Sequence, residues 1–167
     1  MLDMNGNVQE EKMPVAEYTI DGEETAVPPI YPAVTLPDAA PPSPVEKKIV
    51  LNMAMSGGKM VFTINGKTGD KIPMEEFTQG VPVRFTLLNK SMPFHPFHVH
   101  GQFFQILTRG GAPSKEPGLK DTVLLYQNEE VKILTYFENR GEWMYHCHIP
   151  EHSENGMMAE IKVVPSP

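Results

Sequence analysis

All six histidines and the only cysteine of this 167-residue chain fall in two short blocks. One block is His95-Pro96-Phe97-His98-Val99-His100. The other runs His146-Cys147-His148-Ile149-Pro150-Glu151-His152-Ser153-Glu154-Asn155-Gly156-Met157. Histidines serving as isolated core or surface residues would be scattered. Imidazoles gathered around a thiol and a thioether read as metal ligands. Two histidines, one cysteine and a weak, long axial methionine make up the blue-copper donor set. The soft thiolate suits copper, and a thioether is too weak for a structural zinc site, which takes four strong donors. Cys147, His152 and Met157 are spaced five and five apart, which places three donors on one short turn after a strand. The fourth must come from elsewhere in the fold, and His95 is the obvious donor; it sits just before Pro96, which biases it towards an extended or turn backbone. Met158 adjoins Met157, but the spacing of ten from Cys147 favours Met157 as the axial group and leaves Met158 to the core.

The other four histidines follow a period of two. Successive side chains of a strand point to opposite faces. His146 and His148 therefore share one face while Cys147 points to the other, and His98 and His100 likewise share a face. Were the two segments neighbouring strands, four imidazoles would converge on one side and the thiolate would hold a metal on the opposite side. Only a few covalent bonds would separate Cys147 from His146 or His148. This arrangement predicts one mononuclear, electron-accepting site joined to a second site made of histidines alone.

Both blocks resemble the C-terminal domain of the multicopper oxidases, the family of laccases and bacterial metallo-oxidases. The family pattern is approximately H-P-x-H-x-H-G and H-C-H-I-x-x-H-x-x-x-G-M, matched by His95 to Gly101 and by His146 to Met157. Lys120-Asp121-Thr122-Val123 and Gly141-Glu142-Trp143-Met144 add to the resemblance, which spans Lys47 to Val164. It implies that His95, Cys147, His152 and Met157 hold a type 1 copper, with His152 and Cys147 serving electron entry and transfer. His98 would go to a type 2 copper, and His100, His146 and His148 to a type 3 pair. In the family this trinuclear cluster takes eight histidines, four of them from two H-x-H pairs in an N-terminal domain. No further H-x-H occurs here. The resemblance therefore implies half a cluster, completed by an N-terminal oxidase domain, another chain or a homo-oligomer. Many bacterial members carry an acid directly after the type 1 histidine as a proton-delivery group. Ser153 stands at that position, with Glu154 one residue further on. A periplasmic or extracellular setting is also implied.

The elements that must position these ligands are short strands. Lys48–Met55, Met60–Asn65, Val81–Asn89, Phe97–Thr108, Thr122–Tyr126, Val131–Phe137, Trp143–Ile149 and Met158–Val164 are rich in β-branched, aromatic and aliphatic residues, with Gly, Pro and Asn between them. About eight strands at this spacing argue for an all-β sandwich, and the resemblance specifies a Greek-key cupredoxin-like form. Residues 1–45 differ: they hold eight of seventeen prolines and eight acidic residues against one lysine. Val27-Pro28-Pro29-Ile30-Tyr31-Pro32 and Ala39-Ala40-Pro41-Pro42-Ser43-Pro44 read as an extended, polyproline-like linker. The expected organisation is a Pro-rich acidic extension over 1–45 and a cupredoxin domain over 46–167.

Composition bounds the partners. A net charge of -7 speaks against nucleic acid. No run of 18 or more apolar residues is present, so no transmembrane helix is expected. Met1-Leu2-Asp3-Met4-Asn5 has neither the basic nor the apolar region of a signal peptide. Three classes of function follow. The first is the copper module of an oxidase, taking single electrons from a small-molecule or metal-ion reductant and passing them to a cluster that reduces O2 to water. The second is a blue-copper electron-transfer domain without O2 turnover. The third is a metal-storage or structural role. Met53, Met55 and Met60 are candidate cuprous-ion ligands, with core filling as the plainer reading. Glu151 and Glu154 are either attractors for cationic reductants or part of a solvated turn.

Overall fold

The computed structural model describes residues 43–167. The Pro-rich segment over 1–45 lies outside the described residues apart from its last three. Among the described residues eleven strands build two sheets. The first contains β1 (Val45–Ser56), β2 (Lys59–Ile64), β4 (Pro82–Asn89), β6 (Phe104–Arg109), β7 (Ala112–Pro113) and β9 (Glu130–Tyr136) in the order β2-β1-β4-β9-β6-β7. The second contains β3 (Glu75–Thr78), β5 (His95–Val99), β8 (Thr122–Leu125), β10 (Gly141–Cys147) and β11 (Met158–Val164) in the order β3-β11-β10-β5-β8. Most neighbours are antiparallel, while β1 with β4 and β3 with β11 run parallel. The molecule is an all-β, Greek-key sandwich of the cupredoxin type.

Alternation explains the layers. Along β4, Val83, Phe85, Leu87 and Asn89 are buried while Pro82, Arg84, Thr86 and Leu88 stay partly exposed. Along β11, Ala159, Ile161 and Val163 face inward and Glu160 and Lys162 face water. The inward residues of both sheets form one core, in which Phe77 stacks on Phe137 at 4.6 Å between centroids. Burial of that apolar area is the main driving force for the sandwich.

Three local features depart from expectation. The run Phe97–Thr108 is not one strand: β5 stops at Val99, and His100 to Phe103 turn the chain into the other sheet at β6. Gly101 makes that turn with a φ of 62°. β3 and β7 escaped the pattern because the first is a four-residue edge strand with two charged residues and the second is only two residues long. A short helix, α1 (Pro150–Glu154), follows β10 where a plain turn was expected, with Pro150 at its start. Proline suits the first helical position because its missing N–H would have no partner there.

Candidate metal centre

Three elements bring a thiol and two imidazoles to one buried point. β5 contributes His95 at its first residue, β10 contributes Cys147 at its last, and α1 contributes His152. Cys147 Sγ lies 3.5 Å from His95 Nδ1 and 3.4 Å from His152 Nδ1, and the two Nδ1 atoms are 3.1 Å apart. His95 and Cys147 have no exposure and His152 has 8%. Donor atoms around one tetrahedral ion with bond lengths near 2.0–2.3 Å lie roughly 3.3–3.6 Å apart. Both sulfur–nitrogen sides of the observed triangle fall in that range and the nitrogen–nitrogen side, at 3.1 Å, is slightly shorter, so this donor set fits a single thiophilic transition-metal ion. Met157 is fully buried beside it. Its carbonyl accepts the Cys147 N–H at 3.1 Å, and its N–H donates to the His152 carbonyl at 2.9 Å. The five-residue spacings thus close a hydrogen-bonded loop.

The β1–β2 hairpin braces this loop. The Phe62 ring stacks on His152 at 3.8 Å and meets His95 edge-on at 6.2 Å. Phe62 N–H donates to the Asn155 carbonyl at 3.0 Å, and Gly69 N–H donates to the Gly156 carbonyl at 2.9 Å. Ser153 spends its hydroxyl within α1, on the Pro150 carbonyl at 3.0 Å. Glu151 and Glu154 are exposed.

The second histidine group lies on the other face of β10. His146 is paired in register with His98 of β5. The His98 ring is 4.9 Å from His100 and 5.6 Å from both His146 and His148. His100 and His146 bring their Nε2 atoms to 2.9 Å. His98 Nδ1 lies 3.0 Å from the Asp121 carbonyl and 2.9 Å from Thr122 Oγ1. His146 Nδ1 lies 2.8 Å from the Cys147 carbonyl. A carbonyl only accepts, so both Nδ1 atoms carry a proton and donate it there. His98, His100 and His146 form a close three-nitrogen group, while exposed His148 approaches it as a ring 5.6 Å from His146.

Burial sets the electrostatics of the thiol site. It lowers His95 to about 4, with His152 adding to the effect, and pushes the Cys147 thiol up to about 11 against an opposing backbone hydrogen bond from Ile149. His152 is also lowered by burial, with Glu151 opposing. Without a cation the site therefore favours neutral imidazole and neutral thiol, and a bound cation reverses the preference at the thiol. Because His95 is depressed, the unfolded chain binds a proton that the folded chain refuses between about 6.5 and about 4. The metal-free protein should therefore lose stability as pH falls through that window. Urea midpoints measured across it should decline, and a flat profile would contradict the buried neutral state.

Several supporting residues carried no signal of their own in the sequence. Phe62, Asn89 and Ser91 are of this kind. Asp121, Thr122 and Trp143 lie in segments that carry the family resemblance, Thr122 and Trp143 also at the start of expected strands, and the structure supplies their physical reason. The Asp121 carbonyl and Thr122 hydroxyl hold His98. The Trp143 ring packs where a Cβ on Gly101 would stand, 2.3 Å from it.

A Greek-key sandwich with a buried His-Cys-His triangle and an open histidine group defines a copper protein of the cupredoxin class. The sequence profile of the multicopper oxidases matches residues 40–167, and the chain belongs to that family. It is 36% identical over 152 residues to the multicopper oxidase mco of Staphylococcus aureus, covering 86% of this chain and 33% of that protein. It is 32% identical over 126 residues to a laccase of Haloferax volcanii, covering 71% of this chain and 22% of that protein. The crystal structure of a laccase from Pediococcus acidilactici superposes with a TM-score of 0.71 at 30% identity, covering 85% of this chain and 31% of that one. The chain thus spans about a third or less of the length of these relatives. Copper is the cofactor of the family.

Proposed function

We propose that residues 46–167 are the copper-binding domain of a multicopper oxidase, with 1–45 as the extension that links it to the rest of the enzyme. Copper bound here would supply one-electron oxidation of a small-molecule or metal-ion reductant at a type 1 centre and reduction of O2 to water at a trinuclear cluster. The observation that carries this reading is the pair of donor groups on opposite faces of one strand. His95, Cys147 and His152 converge within 3.5 Å on the buried face. His98, His100 and His146 gather on the other.

His95, Cys147, His152 and Met157 are assigned to the type 1 metal, with the Met157 thioether as axial donor. His98 is assigned to a type 2 metal, and His100, His146 and His148 to a type 3 pair. Burial of His95 and Cys147 excludes water from the thiol, while His152 keeps the small exposure through which a reductant makes contact. Phe62 covers the flat face of His152 and limits its rotation. Cys147 adjoins His146 and His148 in the chain, so the two donor groups are joined by covalent bonds. Four histidines are half of what the cluster needs, and the open side of this group is where an N-terminal domain, another chain or a second copy would add the rest. The setting we assign is periplasmic or extracellular; among the described residues no helix is long and apolar enough to cross a membrane.

Electron paramagnetic resonance of the copper-loaded chain, integrated against total copper, tests the reading. A type 1 signal alone, at one copper per chain, leaves a blue-copper electron-transfer domain that needs its partner for O2 turnover. A type 1 signal with a type 2 signal and additional silent copper means that copies of this chain complete the cluster themselves. Absence of a type 1 signal overturns the assignment. Met157→Leu should retain copper and raise its reduction potential, since the axial ligand tunes it. An unchanged potential in a redox titration would move the axial role to Met158 or remove it.

A further inference from the structure

His95 is the most deeply buried imidazole of the thiol site, and its second nitrogen is held by a chain of hydrogen bonds that admits one proton arrangement. The chain starts at the end of β4. Asn89 Nδ2 donates to the Pro93 carbonyl at 2.7 Å and to the Leu125 carbonyl at 3.3 Å. Both acceptors are carbonyls, so the Asn89 amide cannot be turned over and its Oδ1 must face the other way. There it accepts the Ser91 N–H at 2.8 Å and lies 2.8 Å from Ser91 Oγ. An amide oxygen only accepts, so the Ser91 hydroxyl spends its single proton on Asn89. Ser91 Oγ also lies 2.6 Å from His95 Nε2. With its proton committed, Oγ can only accept there, and the proton in that contact belongs to Nε2.

We infer that Asn89 and Ser91 are positioning residues that lock His95 as the Nε2–H tautomer and so aim its bare Nδ1 at Cys147 and His152. All three residues are buried, with exposures of 0% for Asn89, 3% for Ser91 and 0% for His95, so no bulk water competes for these bonds. The anchor is also well placed. Leu125 stands directly opposite His95 in the β5–β8 ladder. The same Asn89 side chain therefore fixes the loop before His95, through Pro93, and the strand beside it. An outer hydrogen bond of this kind sets both the orientation and the basicity of a metal-binding imidazole. The tautomer follows from the hydrogen bonds alone, whereas its effect on metal affinity rests on the reading of His95 as a copper ligand.

The test uses the full metal-free chain labelled with nitrogen-15 at histidine, with His95 assigned by its loss in His95→Gln. Long-range proton–nitrogen spectra should place the His95 ring proton on Nε2, strongly deshielded and slow to exchange. A proton on Nδ1, or an average of two tautomers, overturns the inference. Ser91→Ala should abolish the deshielding and weaken cuprous-ion affinity about 10–100-fold. Ser91→Thr, which keeps the hydroxyl, should restore both. An alanine variant with an unchanged His95 proton and unchanged affinity overturns the relay. Should the alanine variant not fold, the spectra of the native chain and of Ser91→Thr decide alone. A locked Nε2–H tautomer in a chain that binds no copper would remove the copper reading and leave the relay standing.

Discussion

Cys147→Ser should yield a colourless protein with the fold intact and copper affinity reduced by more than the 10–100-fold that loss of a supporting residue costs. A serine hydroxyl is nearly isosteric with the thiol and sits at a position with no exposure, so the sandwich should close around it. It will not ionise there, because burial alone already pushes the far more acidic thiol up to about 11. The variant thus offers a neutral, hard oxygen where the native chain offers a soft anion, and a soft donor is what selects copper. Visible absorption and copper titration by competition measure the two effects. Surviving blue colour would refute the role given to Cys147.

Gly156→Ala should cost roughly 2–4 kcal/mol of stability. Gly156 has a φ of 117°, a region in which L side chains are strained, and its added Cβ would stand 2.6 Å from Thr68 Cβ and 2.8 Å from the Phe62 carbonyl oxygen. The second neighbour is backbone and cannot rotate aside. Relief requires the β1–β2 hairpin to back away, which takes the Phe62 ring off His152 and pulls on Met157. Copper affinity should therefore fall together with the unfolding midpoint. Denaturant titration with and without copper checks this, and an alanine variant matching the native chain in both would show that the hairpin contact does not brace the site.

The candidate ligands were legible in the sequence because their chemistry is rare there: one cysteine and six histidines leave few ways to assemble a site. Their faces were legible as well, since the alternation along His146, Cys147 and His148 survives at the end of β10 and the residue after it, with Cys147 buried between half-buried His146 and exposed His148. The support was not legible. Phe62 reads as one more apolar residue of a strand, and nothing in its spacing links it to His152 far along the chain. Asn89 and Ser91 read as a polar strand end before a loop, although their partners are carbonyls that only the folded chain brings near. The break after Val99 was missed for a related reason. Phe103, Phe104 and Ile106 continue the apolar pattern, while the switch between sheets depends on one positive-φ glycine and on the His100 N–H donating to the Met144 carbonyl at 2.9 Å. α1 is too short for any helical period to show.

The division of β10 into a buried face and an open face also governs how this segment can vary over evolutionary time. Because the side-chain period of a strand is two residues, inserting or deleting one residue between Gly141 and Cys147 would exchange the faces beyond it. Upstream of such a change the β10–β11 pairing, which begins at Gly141↔Val163, would still hold its register. Cys147 would then turn outward and His146 and His148 inward, and both donor groups would be lost in one step. Substitutions can tune either face independently, but the length of the strand is inherited as a unit. Among descendants of this chain, length changes should therefore collect in the exposed turns around Gly57-Gly58 and Gly110-Gly111, outside the strand that serves both sites.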